Sequence, residues 1–169
     1  MKALFDETME QLLREQYVGL PVAGLIAELY ERRRVSGHNE WRELVGAGLR
    51  RHPVYSLLLE DPFVRHSAER PRGYPGDAEL LDYIYGCGNA ESMVERASTM
   101  GKRLHEYDRS TPAPAAVRNR SRMAAAEIDR MAATGMRPHV LSIACGHLRE
   151  ADRLQSLRAD AIGRFVGLD

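Results

Sequence analysis

The chain has 169 residues, 44% of them hydrophobic and 28% charged. That is the balance of a folded globular protein, and it excludes a largely disordered one. The 24 Lys and Arg offset the 24 Asp and Glu, so no global charge draws the chain to nucleic acid or to an anionic membrane. Cys87 and Cys145 stand far apart with no CxxC pair, which excludes a zinc knuckle and a disulfide framework.

The N-terminus turns acidic at Asp6 and Glu7 and has no apolar signal segment. The most apolar stretch, Val18 to Ala27, contains Pro21 and falls short of the roughly 20 apolar residues of a membrane span. The sequence therefore reads as cytoplasmic, with free thiols and with neither a nucleic-acid nor a membrane partner.

Leu4, Phe5, Met9, Leu12 and Leu13 recur at helical spacing and predict a first helix to about Tyr17. Pro21 starts a second, with Leu25, Ile26, Leu29 and Tyr30 on one face, ending near Ser36-Gly37. Arg32-Arg33-Arg34 lies at its C-terminal end, where positive charge complements the helix dipole. A third helix spans about Asn39 to Arg51, with Trp41, Leu44, Val45 and Leu49 inward, and Pro53 ends it. A short apolar segment, Val54 to Leu59, follows. Residues 65–77 hold two prolines and two glycines and read as loop.

Asp77 is placed to cap the next helix, Ala78 to Tyr85, which Gly86-Cys87-Gly88-Asn89 breaks. One helix is expected from about Ala90 to Tyr107, and a long one from Ala115 to Ala133, closed by Gly135. Met93, Met100, Met123 and Met131 read as core filling. His38, His52, His66 and His105 lack metal-ligand spacing.

The pattern then changes. His139 to Ala144 is a short apolar strand, Cys145-Gly146-His147 a turn, Arg149 to Arg158 a helix and Arg164 to Asp169 a second strand. Strand, turn, helix and strand make a βαβ unit with parallel strands. The expected fold is thus a mainly α N-terminal helical bundle, residues 1–135, followed by the first βαβ unit of a Rossmann-like α/β core, residues 136–169. A small-residue turn feeding a helix leaves backbone N–H groups free, and an acid at the end of the next strand can hold both hydroxyls of a ribose. Asp169 stands 23 residues beyond Gly146, which suits that arrangement.

Val140-Leu141-Ser142-Ile143-Ala144-Cys145-Gly146-His147-Leu148-Arg149-Glu150 resembles motif I of the class I S-adenosylmethionine-dependent methyltransferases. Phe165-Val166-Gly167-Leu168-Asp169 resembles their second strand with the ribose acid at its end. The family carries an acid at the position of Ser142, and glycines at Ala144, Gly146 and Leu148, of which this chain keeps the middle one. Arg70-Pro71-Arg72-Gly73-Tyr74-Pro75-Gly76-Asp77, with Leu80, Leu81 and Ile84-Tyr85 behind it, and Arg118-Asn119-Arg120 resemble a bacterial subgroup. That subgroup includes enzymes that make hydroxy-fatty-acid methyl esters used as quorum signals. The likeness covers about residues 65–169.

The resemblance implies a methyltransferase with S-adenosyl-L-methionine held by Ala144, Cys145, Gly146, His147 and Asp169. Arg72 would bind the methionine carboxylate and Tyr74 would close over the cofactor. Tyr85 and Arg118 would face a small-molecule methyl acceptor, a fatty-acid carboxylate in that subgroup. The family's sheet has seven strands and this chain supplies two. It reads as the truncated N-terminal part of such an enzyme, inactive alone, and pairing with a second copy would cover its open sheet edge.

Plainer readings stand beside these. His147 can cap the following helix, Cys145 can be a small buried residue, and Tyr85 can belong to the core. Arg118 and Arg120 sit two apart and point in different directions on a helix. The second functional reading is a helical interaction module with a vestigial, non-catalytic βαβ unit. A site for NAD or ATP lacks its GxGxxG or GxxxxGK[ST] loop.

Overall fold

Several helix starts in this chain are fixed by side chains that accept backbone N–H groups left free in a first turn. The computed structural model describes residues 1–14 and 17–169, and several of its helices begin this way. His52 accepts the Val54 N–H, Asp61 that of Phe63, Asp77 that of Leu80 and Ser98 that of Gly101. The described residues are mainly helical, with one two-stranded parallel sheet.

The first helices are α1 (Lys2–Arg14), α2 (Gly19–Val35), α3 (His38–Glu43) and α4 (Pro53–Leu58). Then follow α5 (Pro62–Glu69), α6 (Ala78–Tyr85), α7 (Gly88–Glu95), α8 (Thr99–Ser110) and α9 (Pro112–Ala132). Strand β1 (His139–Ile143), the one-turn α10 (Gln155–Arg158) and β2 (Arg164–Leu168) complete the order. Phe5, Leu12, Val18, Val22, Leu25, Val54 and Leu104 form one buried core shared by α1, α2, α4 and α8. Each fully buried side chain of this kind contributes about 1.5–3 kcal/mol.

Several expectations need correction. The face of α2 that meets the core carries Val22, Leu25 and Leu29, spaced i, i+3 and i+7, and Ile26 and Tyr30, one position round the helix, are exposed. The third helix is a composite. It passes from α3 into a π turn (Leu44–Gly48) and a 3-10 turn (Leu49–Arg51), and none of its residues is fully buried. Residues 65–69 are the end of α5, not loop: Asp61 caps the start and Pro62 occupies the first turn. The loop proper begins at Arg70, whose left-handed backbone ends the helix.

The single helix expected over residues 90–107 is two, α7 and α8, separated at 96–98. The break lets α8 start at Ser98, whose hydroxyl also contacts Glu60, and brings Gly101 against the Glu60 carbonyl, where a Cβ would clash. Met93, Met123 and Met131 are exposed, and only Met100 of the four packs on the core. In the arginine run, Arg32 pairs with Glu28, Arg34 with Glu31, and Arg33 lies 5.7 Å over the Trp41 ring.

The segment expected as a helix from Arg149 to Arg158 is a 3-10 turn (Ala151–Arg153) followed by α10. Leu154, between them, is extended and fully buried against Ala125 and Ile162. Burying that leucine interrupts the helix. No helix of the described residues is long and apolar enough to cross a membrane.

Asp61, fully buried, also shares a hydrogen bond with His105 Nδ1 at 3.1 Å, and among the described residues no N–H group donates to its Oδ2. Burial, then the charge of Asp61 and a hydrogen bond with it, push the Asp108 carboxyl up to about 7. A proton on Asp108 supplies the donor the pair lacks. Because this pKa lies above that of the unfolded chain, its stabilisation is full below about pH 4 and is lost as pH rises through about 7. Asp108→Asn should raise stability at pH 8 by about 1 kcal/mol and do less at pH 5, read from urea unfolding at both.

Candidate functional site

The strand segment forms where apolar residues run without a helical period. β1 and β2 pair in parallel, with Val140 beside Phe165, Leu141 beside Val166 and Ile143 beside Leu168. Successive side chains alternate between the two sheet faces. Val140 and Phe165 pack on α9 through Ala125 and Ile128. The opposite face, with Leu141 (57% exposed), Ile143 (73%) and Leu168, is bare.

At the end of β1 the backbone takes an unusual path. Ala144, Gly146 and Leu148 all have left-handed backbones, with φ of 54°, 54° and 50°. Only glycine adopts that region freely. Yet only the middle residue is glycine, and there a Cβ would come within 3.1 Å of the Ala78 Cβ. Leu148 offsets its strain by packing over Gly167, where a Cβ would meet its side chain.

The turn's N–H groups are used inside the protein. Cys145 donates to the Leu168 carbonyl and Gly146 to the Asp169 carboxylate, at 3.2 and 2.7 Å. A helix with free N–H groups after the turn, expected from the sequence, is therefore absent. Leu148 donates to the Cys145 carbonyl, and Arg149 is drawn away to α6.

Asp82 of α6 is the partner that draws it. Its carboxylate, almost fully buried, accepts Arg149 Nε and Nη2, both at 2.7 Å, and His147 Nδ1 at 2.8 Å. The Cys87 thiol lies at 3.4 Å. Burial opposes ionisation of Asp82, but the hydrogen bonds from Arg149 and His147 outweigh it and hold the carboxyl below its usual range. Burial and the Asp82 charge push the Cys87 thiol up, which keeps it a poor nucleophile.

Between α6, α9 and β1 lies a cleft of about 330 Å³. Ala144, Cys145, His147 and Tyr85 line it, with Asp82, Arg149 and Arg120. The structure thus brings these four predicted residues together. Gly146 and Asp169 sit beside the cleft on the turn and at the end of β2. Arg118 donates to the Arg109 carbonyl, and it is Arg120 that reaches the cleft. Arg72 and Tyr74 are exposed on the loop before α6, and Arg72 pairs with Glu79 at 3.2 Å.

Asp82 and Arg149 are functional candidates that sequence reasoning missed, and of the pair Arg118 and Arg120 it assigned the site to Arg118. The available signal was Asp82 itself, an acid in the apolar run Leu80-Leu81-Asp82-Tyr83-Ile84, since acids are seldom buried unless paired. His66, Asp77 and Glu79 bring one ligand atom each within 4.8 Å of one another. Each already has a partner, His66 with Asp77 and Glu79 with Arg72. No family model matches the chain, and no curated protein or solved structure matches it either.

Asp82→Ala should cost about 3 kcal/mol in urea unfolding, because Arg149 is left half-buried without its anion. Ala144→Gly should do the reverse. Removing the exposed Cβ from a left-handed position should gain roughly 0.5–1 kcal/mol, a rise of a few degrees in Tm.

Proposed function

We propose that the chain forms the donor-binding N-terminal portion of an S-adenosylmethionine-dependent methyltransferase acting on a small molecule, with a Rossmann-like start to its core. One observation carries the reading. The three positions where that family has glycine, 144, 146 and 148, all have glycine-like backbone although two of them are not glycine. They lie at the C-terminal end of the first of two parallel strands, where open α/β sheets bind ligands.

The residues fit the cofactor. Gly146 holds a left-handed backbone, φ 54°, that glycine adopts freely, and it lies between Cys145 and His147, which line the cleft. Asp169 is exposed and ends the second strand. A carboxylate accepts about four hydrogen bonds, so the one from Gly146 leaves capacity for both ribose hydroxyls. Arg72 and Tyr74 lie on the loop that leads into Ala78, which lines the cleft, and they are the chain's candidates for the cofactor's methionine end. The cofactor supplies an activated methyl group. The protein's own part is to hold the reactants in line and keep water out, so orientation dominates the rate.

The bare sheet face of Leu141, Ile143 and Leu168 favours a second reading, in which the chain is a helical interaction module. Calorimetric titration with S-adenosylhomocysteine separates the two. The methyltransferase reading expects saturable binding by the full-length protein, weakened about tenfold or more, some 1.4 kcal/mol, by Asp169→Ala. An absence of heat, together with an unmoved Tm, overturns it and leaves the interaction module.

A further inference from the structure

We infer that His147 is a proton acceptor facing the cleft, and that the molecule bound there presents a hydroxyl or amine proton to it rather than a carboxylate. The inference rests on the methyltransferase reading for the methyl donor only.

An ionised carboxylate accepts hydrogen bonds and cannot donate them. Asp82 is held ionised by the bidentate Arg149 guanidinium, so the bond between Asp82 and His147 Nδ1 must use a proton on Nδ1. The neutral imidazole then carries its lone pair on Nε2. The His147 side chain is 34% exposed and lines the cleft.

Among the described residues, three other histidines contact carboxylates, and each is committed to structure. His52 caps α4 with its second ring nitrogen. His66 and His105 are nearly buried and pack against Tyr83. His66 and His105 also border pockets, but of the four only His147 joins a carboxylate-oriented Nδ1 to a substantially exposed side chain, 34% against 12% or less for the others.

This arrangement is the orienting half of a general-base dyad, with Asp82 the positioning residue. The proton of the bound hydroxyl or amine passes to Nε2. The electron pair of the broken bond stays on the oxygen or nitrogen, which becomes the nucleophile. The imidazolium returns the proton to water at its exposed edge. A carboxylate is already ionised at neutral pH and needs no such base. The acceptor class suggested by the cleft therefore differs from the fatty-acid carboxylate that the sequence resemblance implies. The titratable groups around His147 are Asp82, Tyr85, Cys145, Arg149 and Glu150, with Arg120 on α9. Arg120 is the group that would favour a carboxylate.

The test uses full-length 15N-labelled protein, with the His147 ring signals assigned by His147→Gln. Long-range 1H–15N spectra above the imidazole titration should show the Nδ1–H tautomer, replaced by a mixture in Asp82→Asn. Two probes of one shape, p-cresol and p-toluate, are then titrated. The expected result is a saturable shift of His147 Nε2 by p-cresol at several-fold lower concentration than by p-toluate, with the preference lost in His147→Gln. An Nε2–H tautomer, tighter binding of p-toluate, or no binding of either probe overturns the inference. None of these readouts needs the methyl donor. Failure to bind S-adenosylhomocysteine would therefore overturn the methyltransferase reading alone, and the role of His147 is decided by the ring spectra and the two probes.

Discussion

A carboxylate taken out of water must gather donors to replace those it loses, or it destabilises the fold that buries it. Asp82 gathers them from residues 65 and 67 positions away, His147 and Arg149. That requirement shapes everything around it. It ties α6 to the segment after β1, pulls Arg149 out of the helix its sequence favours, and sets the direction of His147. With α6 and β1 held at fixed separation, and α9 packed on the sheet through Ala125 and Ile128, the space left between them is the cleft. Removing the charge would loosen two elements at once, which is why one side chain carries both stability and geometry.

The helical half uses the same device twice more. Asp61 and Asp77 are buried acids that cap α5 and α6, and each is joined to an imidazole, His105 and His66. The Tyr83 ring stands between those imidazoles, 6.1 and 5.7 Å from them. Burial, reinforced by the charges of Glu79 and Asp61, raises the Tyr83 phenol. Burial likewise opposes ionisation of Asp77, but its bonds from Leu80 and His66 prevail and lower it. The bundle interior is thus polar at selected points, and those points are where helices begin.

What the sequence made legible was local. The Asp77 cap, the long α9 after its prolines and the two strands follow from residues a few positions apart. The helix over 62–69 was also locally signalled, by Asp61-Pro62, but the prolines and glycines just beyond masked it. The break at 96–98 was not, because its cause is the close approach of Gly101 to the Glu60 carbonyl. Of the site, the turn residues and Asp169 were readable as a spacing. Asp82 and Arg120 were not, since their importance arises only when α6 and α9 meet β1. The choice between Arg118 and Arg120 depended on a helix rotation that Arg118 settles by bonding the Arg109 carbonyl.

Arg33 over Trp41 has an optical consequence. Trp41 is the chain's single tryptophan, and it lies half-buried at the corner of α2 and α3, outside the elements that line the cleft. Tyr83 and Tyr85 lie on α6, one inside the bundle and the other on the cleft wall. The seven tyrosines are spread from Tyr17 to Tyr107 and average over the whole fold, whereas the indole is a single reporter. Its emission, excited at the red edge where tyrosine does not absorb, follows the corner that the guanidinium covers, and so reads loosening of the N-terminal helices apart from events in the cleft.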